Sequence, residues 1–113
     1  MTEPVTSPKQ YFDTLGARFR KDAAKGMRAV FQFELSGEGG GTYHIAVEDG
    51  TFTVSESAHP APTVTLRMKA DDYVNLVNGK LNGQMAFITG KMKIDGNVMM
   101  AMKMQSLFPN PNT

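Results

Sequence analysis

His44 and His59 are the side chains of this sequence best suited to proton transfer or metal binding near neutral pH. His44 falls on the polar side of an alternating stretch and His59 lies in a Pro-rich loop, neither with a partner at a metal-ligand spacing. Ser55, Ser57 and His59 crowd together but match no nucleophile signature. The chain has no Cys, which excludes a thiol nucleophile, an iron–sulfur cluster, a Cys-type zinc site and a disulfide framework. The glycine run at 37–41 lacks the Gly-Lys-Ser/Thr ending of a phosphate loop, and reads as a hairpin loop. Gly79-Lys80 and Gly90-Lys91 read as helix ends with a cation near the negative end of the dipole. The alternative for Lys80, Lys91 and Lys93 is contact with a ligand phosphate or an anionic membrane.

What remains is apolar chemistry. Of 9 Met, six (Met85, Met92, Met99, Met100, Met102 and Met104) fall between positions 85 and 104. Met is unbranched and polarisable, so it adapts to irregular shapes. A core that must specify one packing prefers Leu, Ile and Val. A Met-rich wall therefore suits an adaptable apolar pocket, with a plain Met-rich core as the alternative.

These residues need elements to hold them. Ser7-Pro8 starts a helix predicted to run from Lys9 to Lys25, with Phe12, Leu15, Phe19 and Ala23 on one face and Gly26 closing it. Its basic excess is too small to mark it as a membrane helix. Alternation then predicts strands through Ala29, Phe31, Phe33 and Leu35, through Tyr43, Ile45 and Val47, through Phe52 and Val54, and through Val64, Leu66 and Met68. Asp49-Gly50 is a hairpin signal, and the short links favour an antiparallel meander for the first three strands. Asp71 or its neighbour caps a helix with Tyr73, Leu76 and Val77; Asn82 caps a short one with Met85, Phe87 and Ile88. Met92 and Ile94 form a fifth strand, and Asn97 caps a last helix from Val98 to Phe108. The order predicts an α+β fold, a five-stranded mainly antiparallel sheet covered on one face by helices.

Stepping that last helix at about 100° per residue places Leu107, Met100, Met104, Phe108 and Ala101 on one arc of about 120°. Val98 and Met102 form a second stripe, and the polar Lys103, Gln105 and Ser106 are scattered. A surface helix normally has one apolar stripe. This one is expected to face two apolar surroundings: the sheet, and a second helix, a subunit partner or a ligand cavity.

From Asp71-Asp72-Tyr73 the chain continues through Asn78-Gly79-Lys80-Leu81, Ala86-Phe87, Gly90-Lys91 and a short strand to Gly96, and ends in a Met-rich helix closing on Leu107-Phe108. This stretch, Ala70 to Phe108, resembles the C-terminal half of the sterol carrier protein type 2 domain; the upstream helix and four strands match the family's order. The resemblance implies a fold enclosing an apolar tunnel, and non-catalytic binding of fatty acids, acyl-CoA thioesters or sterols without a cofactor. The sequence ends Pro-Asn-Pro-Asn-Thr rather than in a Ser-Lys-Leu-type address, so a peroxisomal location is not implied.

The 113 residues read as one domain, 1–113. The net charge of +1 argues against a nucleic-acid partner. The beginning lacks an apolar leader and no window is long enough to span a membrane, so a cytoplasmic, stand-alone domain is expected. Candidate tunnel residues are Phe31, Phe33, Phe87, Ile88, Met100, Met102, Met104, Leu107 and Phe108. The leading expectation is a lipid carrier with at most transient membrane contact. The alternatives are an interaction domain whose last helix faces a homodimer or a lipid-metabolising enzyme, and a small enzyme acting on an acyl ligand.

Overall fold

The computed structural model describes residues 6–17 and 19–107, with all their side chains except those of Ala17, Met104, Gln105 and Ser106. Five strands form one sheet: β1 (Arg28–Ser36), β2 (Gly41–Glu48), β3 (Thr51–Ser55), β4 (Val64–Lys69) and β5 (Met92–Gly96). Their order is β3-β2-β1-β4-β5. β1, β2 and β3 form the expected antiparallel meander, and β5 runs antiparallel to β4. β4 lies parallel to β1, so the sheet is mixed. Among the described residues four α-helices accompany it: α1 (Pro8–Asp13), α2 (Ala70–Val77), α3 (Gly83–Ile88) and α4 (Val98–Leu107).

Register explains the core. Ile45 and Val64 flank Phe31, Tyr43 and Leu66 flank Phe33, and Met92 pairs with Met68. Side chains alternate across a sheet, so these residues share one face. That face is the apolar layer of the fold, with Phe31, Ile45, Val47 and Val64 all buried. The opposite face carries Gln32, Glu34, His44, Thr65 and Arg67. The β3–β4 connection crosses it: the His59 N–H donates to Gln32 Oε1 (2.8 Å), and Gln32 and Thr65 are buried. Arg67 ion-pairs with Glu34 (3.0 Å) and with Asp95 on this face, linking β1, β4 and β5.

The long first helix is corrected. α1 stops at Asp13, and two 3-10 turns, Leu15–Ala17 and Lys21–Ala24, replace its continuation. Thr14 is the C-cap, its backbone already outside the helical region; its hydroxyl (2.8 Å) and N–H (3.2 Å) both donate to the Gln10 carbonyl. The break changes the register, so Ala24 is buried and Ala23 is exposed. Ser7 does cap α1, its Oγ accepting from the Gln10 N–H (3.2 Å). The expected Asp71 cap of α2 is also corrected. α2 starts directly at the end of β4 with Lys69 as the flanking residue and no side-chain cap. Asp71 and Asp72 sit in its first turn, where their charge complements the dipole.

Asn82 caps α3, its Oδ1 accepting from the Met85 N–H (3.1 Å), and Asn97 caps α4 by accepting from the Met100 N–H (3.1 Å). Gly96 makes the tight junction between β5 and α4: its φ is +97°, and a Cβ there would stand 2.7 Å from the Thr63 carbonyl oxygen. Only glycine fits both conditions.

Candidate functional site

The apolar layer has two unlike ends. Toward α1 and α2 it is filled by rings. Phe12 stacks on Tyr43 (centroids 4.3 Å apart) and meets Phe33 edge-on (5.2 Å), while Tyr73 meets both Phe33 (5.6 Å) and Tyr11 (5.4 Å). All five are buried. Burial, and then the neighbouring Glu56 carboxylate through its charge and hydrogen bond and Asp13 through its charge, push the Tyr43 phenol above its usual pKa. Tyr43 therefore stays neutral in ordinary conditions and behaves as a core residue.

Toward α3, β5 and α4 the layer is thinner. Leu107 is buried, and Met100 and Ala101 are partly buried against the core. These residues belong to the expected core arc of the last helix. The second stripe lies open: Val98 is 42 % and Met102 65 % exposed, with Met99 beside them at 72 %. On α3, Ala86 is fully buried, whereas Phe87 is 48 % and Ile88 72 % exposed.

The candidate tunnel residues therefore separate into groups. Phe31, Phe33 and Leu107 are in the buried layer, Phe33 inside the ring cluster. Met100 lies at the layer's edge, and Phe87, Ile88 and Met102 face outward. The Met104 side chain and Phe108 lie outside the described residues.

Two hollows on the surface lie among the described residues. One, of about 400 Å³, lies where α4 meets the Lys21–Ala24 turn and the start of β1. Ala23, Met27 and Leu107 supply its apolar lining, and Lys25 and Lys103 its cations. Neither lysine has an ion-pair partner among the described residues. The other, of about 950 Å³, runs past Glu34, Arg67, Lys69, Asp71, Asp72, Lys91 and Lys93, with Leu35 and Met68 among its apolar lining. Its charges are mixed, so it has no strong preference for one sign.

The two histidines, far apart in sequence, meet at 5.2 Å edge-to-face over the polar face. His44 Nδ1 lies 2.7 Å from the Ser57 carbonyl oxygen, and His59 Nδ1 accepts from the Ala61 N–H (3.0 Å). These bonds tether the β3–β4 connection. Among the described residues no group of three or more His or acidic side chains is arranged to hold a metal. No described helix is long and apolar enough to cross a membrane. Sequence reading missed the histidine contact, because only the cross-strand register and the loop's path create it. It also missed Lys25 and Met27 as lining residues; the short Lys25-Gly26-Met27 link between two elements was the available signal.

The fold and the family agree with the resemblance. The SCP-2 sterol transfer family model matches residues 12–109, and the chain belongs to that family. It is 35 % identical to rat hydroxysteroid dehydrogenase-like protein 2 over 124 aligned positions, covering all of this chain and 23 % of that protein. The chain thus spans about a quarter of the length of this curated relative. Among solved structures, the sterol carrier protein domain 2 of Helicoverpa armigera superposes with a TM-score of 0.67 at 29 % identity, covering 86 % of this chain and 84 % of that one. The Aedes aegypti sterol carrier protein-2 complexed with palmitate shares the fold, with a TM-score of 0.61 at 16 % identity over 88 % of this chain and 92 % of that one.

Proposed function

We propose that this domain binds and carries single-chain anionic lipids of the fatty-acid type, without covalent chemistry. The observation that carries this reading is the hollow beneath α4. Its apolar lining (Ala23, Met27, Leu107) would receive a hydrocarbon chain, and its unpaired Lys25 and Lys103 would meet a carboxylate. The Aedes protein of the same fold, captured with palmitate, supports a fatty acid over a bulkier ligand. The tail would extend from Leu107 along Met100 toward the buried face at Phe31. Phe87, Ile88 and Met102 would form the rim. Each buried methylene contributes about 0.8 kcal/mol, so affinity should climb steeply with chain length. The domain in the rat relative accompanies a much longer remainder, which supports presentation of lipid to an attached enzyme.

Displacement of a fluorescent fatty acid tests the reading. Wild-type protein should bind it, and longer saturated competitors should displace it better than shorter ones. Lys25→Gln combined with Lys103→Gln should weaken fatty-acid binding about three- to tenfold, as expected for two exposed ion pairs. A fatty alcohol of equal length should bind the variant as it binds wild type. Absence of any uptake by folded wild-type protein would overturn the reading. Equal loss of acid and alcohol would overturn the lysine assignment.

A further inference from the structure

α3 is six residues long and is fastened by one buried side chain, Ala86. Its other large side chains point outward: Met85, Phe87 and Ile88 are 55 %, 48 % and 72 % exposed. Asn82 and Gly90 bound this projection, with Gly90 at φ +82° turning the chain back toward β5. From Tyr73 to Ile94 the sequence carries Lys80, Lys91 and Lys93 and no acidic residue. None of these lysines has an ion pair among the described residues.

We propose that α3 and its flanks dock onto an anionic lipid bilayer. Met85, Phe87 and Ile88 enter the acyl boundary, while Lys80 and Lys91 meet lipid phosphates and carboxylates. Apolar side chains beside exposed lysines are what an interfacial anchor requires: the former gain from burial and the latter from the negative surface potential.

Charge and size decide against the other occupants. A second copy docked symmetrically on the same surface would bring lysines against lysines. A stable protein interface needs about 800 Å² on each side, more than one six-residue helix presents. A bilayer needs only a few inserted side chains. Asp71 and Asp72 line the larger hollow together with Lys91 and Lys93, which lowers the pull at that end and puts more weight on Lys80. Docking shares Phe87 and Ile88 with the rim proposed for lipid uptake, but it is measured separately, on vesicles without added fatty acid.

The chain contains no Trp, so Phe87→Trp provides a single reporter. Its emission should shift to the blue with vesicles of phosphatidylcholine mixed with phosphatidylserine, and stay unshifted with phosphatidylcholine alone. In co-sedimentation with the mixed vesicles, Lys80→Gln combined with Lys91→Gln should weaken wild-type binding about thirtyfold, following the usual contribution of two lysines near an anionic surface. Ile88→Ser should weaken it about tenfold. All three positions are exposed, and circular dichroism should match wild type. Three results would overturn the proposal: no blue shift with mixed vesicles, sedimentation indifferent to the lysine pair, or a concentration-dependent dimer that Ile88→Ser dissolves.

Discussion

The two ends of the apolar layer are built from different side chains. Under α1 and α2, Phe12, Phe33, Tyr43 and Tyr73 lock together with centroid distances between 4.3 and 5.9 Å. Rings have few rotamers and favour specific edge-to-face and stacked geometries, so this end admits one packing. Around α3, β5 and α4, the large side chains are mostly Met, and Met85, Met99 and Met102 are left exposed. Flexible thioethers tolerate several arrangements, and no neighbour within the described residues covers them. The comparison separates a part of the fold that supplies stability from a part free to meet something else.

The sharpest way to break this contrast is at Phe12. Phe12→Ala should cost about 3–5 kcal/mol, since it empties the centre of the ring cluster. Urea denaturation measures it, and a loss under about 1 kcal/mol would mean that the rings are not the anchor. A smaller effect is expected at the junction between the two ends. Asn97→Ala removes the cap of α4 and should cost about 1 kcal/mol, with fluorescent fatty acid binding weakened because α4 is less firmly held. Unchanged stability and unchanged binding together would show that α4 does not depend on its cap. The smallest effect is expected at Met102. Met102→Ser removes a large apolar side chain but should change stability by less than about 0.5 kcal/mol, since little of that side chain is covered. A cost of several kcal/mol would show that the outward stripe is buried in solution, and would erase the distinction between the ends.

Much of this fold could be read locally. The alternation through Phe31 and Phe33 named the inner face of β1, and the Asp49-Gly50 pair marked the β2–β3 turn. Asn82 and Asn97 were readable as caps because their side chains bond to backbone only three residues away. The first helix was misread for the opposite reason: the spacing of Phe12, Leu15 and Phe19 is helical, but Thr14 ends α1 between them. The parallel β1–β4 pairing depends on the path of the long connection after β3, and periodicity does not encode such a path. Of the candidate tunnel residues, Leu107 and Met100 were placed correctly on the inward arc of the last helix. Phe87, Ile88 and Met102 were recognisable as apolar, but not as exposed.

By itself, the sequence determined the strands, the caps of α1, α3 and α4, the Met-rich composition of the last third and the absence of thiol chemistry. Each follows from residue type and from spacings within a few positions. The tertiary structure decided which apolar stripe of α4 is covered, that Lys25 and Lys103 stand over Leu107, and that His44 meets His59. Coverage depends on which distant elements arrive on a given face. Here β4 comes to lie beside β1, while α4 packs against the turn that replaced the end of the first helix. The same apolar side chain becomes core or surface according to that arrival.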